Sequence, residues 1–156
     1  MGPLAWLTPG VRELNITGNA PLVLALTATT EEGVIKQMIR SLAGRPEIRD
    51  LEGLQRAVLE RQKLQVPLLE NGVALPHART TAVTEIVAVI GRCQEPVAFG
   101  PDKVPVRLVF LYGVPLHYIR EYLAVVAQLT RSLRTPGTLD ALLAAEDDAS
   151  FRRALQ

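Results

Sequence analysis

The sequence predicts an α/β fold, a three-layer sandwich in which a mixed β-sheet is flanked by helices on both faces. Short apolar runs suited to buried strands alternate along the chain with stretches of helical period. The strand candidates are apolar throughout, which marks positions covered on both faces. Of the 156 residues, 48% are hydrophobic, enough for one domain to bury a full core without disulfides or metals.

Leu22 to Leu26 is a short apolar run and reads as the first strand. Thr29 and Glu32 form a capping-box pair. Val34, Ile35, Met38, Ile39 and Leu42 follow at helical spacing until Gly44 and Pro46 stop the helix. A second helix is expected from Asp50 to Leu64, with Leu51, Leu54, Ala57, Val58 and Leu64 inward and Arg56, Glu60, Arg61 and Lys63 solvated. Pro67 to Gly72 interrupts regular structure, and Asn71-Gly72 signals a turn. Val73 to Leu75 is a very short strand ended by Pro76, which lacks an N–H. Ile86 to Ile90 and Val106 to Leu111 are further strands, and the Pro- and Gly-containing stretch Gln94 to Pro105 reads as a loop. Helical period returns from Tyr118 to Leu133, with Ile119, Tyr122, Leu123, Val126, Leu129 and Leu133 on one face. Leu139 to Ala145 and Ser150 to Leu155 read as short closing helices.

Residues 1–21, with Pro, Gly and Asn and no clear period, are expected to form an N-terminal extension anchored by burial of Trp6. Residues 22–156 form the domain. Met1 to Gly10 is apolar but has no basic flank and does not read as a signal peptide. Charge is nearly balanced, with 17 Lys and Arg against 16 Asp and Glu, so neither a nucleic-acid footprint nor acidic disorder is expected. A single cysteine, Cys93, cannot form a disulfide within the chain and fits a reducing compartment; it reads as an inert strand-end residue. No apolar run approaches the roughly 20 residues of a membrane span, so a cytoplasmic location is expected.

The chemistry narrows by elimination. Two histidines and one cysteine without ligand spacing make a zinc site improbable. There is no Gly-x-Ser-x-Gly elbow and no Gly-rich phosphate loop. His77 stands apart, because it follows a turn, a three-residue strand and a proline that presents it at a strand end. An unperturbed imidazole, with a pKa of about 6.5, keeps a ring nitrogen free to attack near neutral pH. Arg79, two residues on, could offset phosphoryl charge with its forked donors, or be only a surface charge. Read from these residues alone, His77 is a nucleophile candidate or a structural strand-end histidine.

The segments Glu60-Arg61-Gln62-Lys63-Leu64 and Glu70-Asn71-Gly72-Val73-Ala74-Leu75-Pro76-His77-Ala78-Arg79 resemble the active-site signature of enzyme IIA domains. The type is that of fructose, mannitol and nitrogen regulation, in the bacterial phosphoenolpyruvate-dependent phosphotransferase system. The resemblance runs from about Leu22 to the C-terminus, through Pro96-Val97-Ala98-Phe99, Val106 to Leu111 and the helix Tyr122 to Leu129. It implies that His77 takes a phosphoryl group from a phosphorylated histidine-containing carrier protein, and that no metal or bound cofactor is required. His77 would then pass the group to an enzyme IIB domain, or its phosphorylation would regulate another protein.

Four departures accompany the resemblance. Tyr122 stands where a second histidine is usual, and a phenol donates a hydrogen bond but carries no positive charge. His117 is near in sequence but is more simply a helix-start or surface residue. Gln62 replaces a glutamate, and Gln65 to Leu68 replaces a run of small polar residues. Glu70 stands where a small residue is common, and a carboxylate near a phosphoryl group would repel it. His77, Arg79 and Tyr122 are thus the candidate site. The alternative is a degenerate, transfer-impaired module of the same fold that regulates a partner protein.

Overall fold

The computed structural model describes residues 16–156. The expected anchoring of the N-terminal extension by Trp6 lies outside the described residues. Six strands form one mixed sheet: β1 (Leu22–Leu26), β2 (Leu68–Leu69), β3 (Val73–Ala74), β4 (His77–Arg79), β5 (Val87–Phe99) and β6 (Val104–Val114). The order is β1-β5-β6-β3-β2, with β4 continuing alongside β6 beyond β3. β1 runs parallel to β5, β5 antiparallel to β6, and β3 and β4 parallel to β6.

Helices α1 (Glu31–Arg40) and α2 (Leu51–Leu64) cover one face, where Val34, Ile35, Met38, Leu54 and Val58 meet Ala74, Val89, Val109 and Leu111. Helices α3 (Ile119–Arg134), α4 (Thr138–Ala144) and α5 (Asp148–Leu155) cover the other, where Val125, Leu129, Leu142 and Phe151 meet Ile90, Leu108, Phe110 and Tyr112. This is the expected three-layer sandwich. From Leu108 to Val114, alternate residues of β6 feed opposite cores, as the period of two in a strand requires.

Several local expectations are corrected. The cap of α1 is Thr30, whose hydroxyl accepts from the Gly33 amide at 3.0 Å; it is not Thr29. Glu32, assigned to that box, lies 3.6 Å from Lys36 one turn on. The stretch Gln94 to Pro105, expected as a loop, is the distal half of the β5–β6 hairpin. The ladder register shifts between Arg92 and Val97, which accommodates Pro96, and Pro105 is exposed. Gly100 and Lys103 turn the chain at φ 76° and 52°. Leu68–Leu69, expected as irregular, pairs with β3, and the turn between them places Asn71 and Gly72 at φ 63° and 76°, as the Asn-Gly signal anticipates. Cys93 lies within β5, opposite Leu26, and not at a strand end. Leu64, expected inward, is 81% exposed, and Leu123, also expected inward, is 59% exposed.

Arg92 joins the edge of the sheet to the closing helices. Its side chain donates to the carbonyl oxygens of Leu24, Leu142, Leu143 and Ala145, at 3.3, 2.9, 3.4 and 2.7 Å. The last three are the carbonyls a helix C-terminus leaves without partners. Arg92→Met should therefore lower unfolding stability by about 2 kcal/mol, since bonds from a charged donor contribute roughly 1.5–3 kcal/mol each and water replaces part of them. Urea unfolding followed by circular dichroism checks this, and an unchanged midpoint would contradict it.

Candidate functional site

The site begins with an interruption. Pro76 cannot donate to a ladder, so β3 ends and Leu75-Pro76 forms a break. The chain does not leave the sheet there. It resumes as β4, with His77, Ala78 and Arg79 opposite Tyr112, Gly113 and Val114. The expectation that His77 stands at a strand end is corrected accordingly: it opens a new strand. Alternation sends Ala78 into the core beneath α2 and turns His77 and Arg79 toward the α3 side.

The break itself is held from two sides. The Leu75 amide donates to the Pro67 carbonyl at 2.8 Å, and the Tyr112 amide donates to the Pro76 carbonyl at 3.0 Å. The Leu75 carbonyl then accepts from Nδ1 of His77 at 2.9 Å. A carbonyl can only accept, so Nδ1 carries the proton and the neutral ring presents Nε2 with its lone pair free.

His77 is half-buried. Its ring lies 5.2 Å from that of Tyr122, with the planes at 31°. Tyr122 meets Tyr112 edge-on, at 5.6 Å and 65°. Burial pulls the imidazole pKa below its ordinary value, the Leu75 bond acts the other way, and the Arg61 guanidinium lowers it further. Burial likewise raises the Tyr122 phenol well above its ordinary range; Tyr112 adds to this and Arg61 opposes it. Tyr122 is thus a neutral hydroxyl donor at any ordinary pH.

The structure therefore brings Tyr122 to His77 and places Arg79 on the same strand face, exposed, two residues on. It also adds Arg61, which helical periodicity assigned to the solvated face. Arg61 sits one turn before the end of α2, half-buried and near enough to act on both rings. Its place beside Gln62 within a quoted signature segment was the available signal. Neither arginine is held in an ion pair by a described residue. His117 is exposed in the turn before α3.

Three of the departures have a definite place in the structure. Gln62 is 6% exposed and donates to Glu31 at 2.8 Å, while the other Glu31 oxygen accepts from the Gly100 amide at 2.8 Å. It is a buried strut between α2 and α1, and a glutamate there would confront Glu31. Glu70 is exposed in the β2–β3 turn. His77 lies four residues beyond Val73, so that turn is roughly 13 Å or more away along the strand. Pro67, within the Gln65 to Leu68 run, supplies the carbonyl that secures Leu75. Among the described residues, no group of three or more His, Cys, Asp or Glu is gathered to hold a metal ion. None of the described helices is long and apolar enough to cross a membrane.

Residues 19–156 match the model of a protein family, the phosphoenolpyruvate-dependent sugar phosphotransferase system EIIA 2. The chain belongs to this family, whose members are phosphotransferase components. It is 28% identical over 127 residues to the fructose-specific EIIA component of Haloferax volcanii, covering 81% of this chain and 82% of that one. It superposes on the nitrogen regulatory protein IIA-Ntr from Neisseria meningitidis with a TM-score of 0.78 and 26% identity, covering 86% and 92% of the two chains. The mannitol enzyme IIA of Escherichia coli, solved in complex with its phosphorylated enzyme IIB, shares the fold with a TM-score of 0.73 and 23% identity, over 86% and 92%. A phosphocarrier or regulatory role follows from the family.

His77 should titrate below pH 6.5 with the Nδ1–H tautomer dominant above that point, in long-range proton–nitrogen NMR spectra. Arg61→Ala removes a cation that disfavours the imidazolium, so the His77 pKa should rise toward the ordinary value. A pKa that falls or stays put in that variant would contradict the placement of Arg61.

Proposed function

We propose that His77 accepts a phosphoryl group on Nε2 from a phosphorylated histidine-containing carrier protein. It then passes the group to an enzyme IIB domain or holds it as a regulatory signal. The observation that carries this reading is the Nδ1–Leu75 bond, which leaves Nε2 the free nucleophile on a ring whose pKa lies below neutrality. In the first step the Nε2 lone pair attacks phosphorus and forms an N–P bond. The carrier's own P–N bond breaks, and its imidazole nitrogen keeps the electron pair. Onward transfer is the same displacement with a thiolate of the acceptor domain as nucleophile. The protein's contribution is placement and charge, which is most of what phosphoryl transfer asks. Arg61 and Arg79 supply cations to offset three phosphoryl oxygens, and Tyr122 supplies a neutral donor.

The surroundings suit a protein donor. His77 lines none of three grooves on the surface. Leu116, Ile119 and Leu123 are exposed at the end of α3 that carries Tyr122 and form an apolar rim for a partner. One observation favours the second reading, of a transfer-impaired regulatory module: the phenol packed on His77 brings no charge where the resemblance implies a second histidine.

Incubation with labelled phosphoenolpyruvate, enzyme I and the carrier protein separates the two. Label should enter the wild-type protein and be absent from His77→Ala. Arg61→Ala should slow labelling about a hundredfold, the scale of losing one preorganised charge at a transferring group. Wild-type protein that takes no label would favour the regulatory reading. Leu123→Glu, on the rim, should raise KM for the carrier with little change in kcat.

A further inference from the structure

Behind the Tyr122–His77 pair lies a second layer of contacts. Tyr112 is fully buried in β6, and its hydroxyl lies 2.9 Å from the hydroxyl of Thr17, a residue only 5% exposed. These residues are 95 positions apart, so the bond ties the start of the described chain to the centre of the sheet. The edge of Tyr112 abuts Tyr122, and Tyr122 covers the imidazole. Tyr112 is also the β6 residue opposite His77, and its amide holds the Pro76 carbonyl. One residue therefore supports the imidazole through the backbone before it and through the ring above it. For the Tyr122 hydroxyl, by contrast, no hydrogen-bond partner is found among the described residues, and the position of its oxygen follows from how its ring packs on His77 and Tyr112.

We propose that Tyr112 is a positioning residue for phosphoryl transfer: anchored by Thr17, its ring wedges Tyr122 against His77 and holds the Tyr122 hydroxyl where it donates to the phosphoryl group on Nε2. This rests on the proposed function of His77. A ring edge without its hydroxyl anchor still fills the core but no longer has a fixed tilt, and an aromatic pair transmits that tilt through its preferred edge-to-face geometry. Removal of the anchor loosens the hydroxyl that meets the phosphoryl oxygens and leaves the carrier-docking rim untouched.

The test is a double-mutant cycle on single-turnover labelling of His77 by the phosphorylated carrier, with melting temperatures confirming that each variant folds. Tyr112→Phe and Thr17→Val should each slow transfer about threefold to tenfold at unchanged KM, and Thr17→Ser should restore the wild-type rate. In a Tyr122→Phe background, where the hydroxyl is already gone, Tyr112→Phe should slow nothing further. A companion readout needs no label: the ring-current shift of the His77 Cε1 proton should move in Tyr112→Phe and Thr17→Val but stay put in Thr17→Ser. Normal labelling with unmoved rates and shifts in Tyr112→Phe, or an equal loss in the Tyr122→Phe background, would overturn the positioning role. Wild-type protein that takes no label, with a Cε1 proton that still moves, would support the wedge and remove the transfer function instead.

Discussion

The bond from Nδ1 of His77 to the carbonyl of Leu75, 2.9 Å long, is the constraint on which the site depends. It spans only two residues, and it exists because a proline separates them. Pro76 withdraws one N–H from the ladder, and the chain turns enough there for a carbonyl to face the ring that follows. Left alone, such a local bond would compete with water. Here its acceptor is immobilised, since Pro67 and Tyr112 grip the backbone on either side of the break. The tautomer of one imidazole thus follows from strand pairing, and the rigidity of the sheet becomes a chemical property of a nitrogen.

Electrostatics near the ring follow the same logic. Burial and Arg61 both disfavour the imidazolium, while the Leu75 bond favours it, and the net result is a ring held neutral. In the proposed transfer, a cation beside an uncharged nucleophile costs little before reaction and stabilises a product that carries added negative charge. The phenol of Tyr122 fits between these demands. It is buried, uncharged and unable to compete with the imidazole for a proton.

Most of the fold was legible because its elements bury faces of regular period. Leu22–Leu26 and the helix around Met38 read directly, and the Pro76-His77 dipeptide announced itself by contrast with the apolar run before it. What escaped notice did so for definite reasons. The outer half of the β5–β6 hairpin contains Pro96 and Pro105, which signal a loop unless a bulge and an exposed edge accommodate them. Leu123 and Leu64 obey helical period yet face outward, because period marks an apolar stripe without saying which part of it the neighbours cover. Arg61 has the composition of a solvated residue, and only the approach of α2 to β4 makes it part of the site. Tyr112 lies just beyond the expected strand Val106 to Leu111, and its bond to Thr17 joins segments that no local pattern connects.

The β5–β6 hairpin has a bearing on how the chain acquires its structure. It joins two long strands that are neighbours in sequence, whereas β1 must find β5 across more than sixty intervening residues. Loop-closure entropy favours the local pair, so the hairpin can nucleate the sheet and offer one edge to β1 and the other to β3 and β4. β4 is three residues long and borrows its order from β6. A newly made chain would therefore leave His77 without its ordered strand until β6, in the last third of the sequence, had folded, and ribosome-bound fragments ending before Val104 would lack the partner strand of β4 altogether.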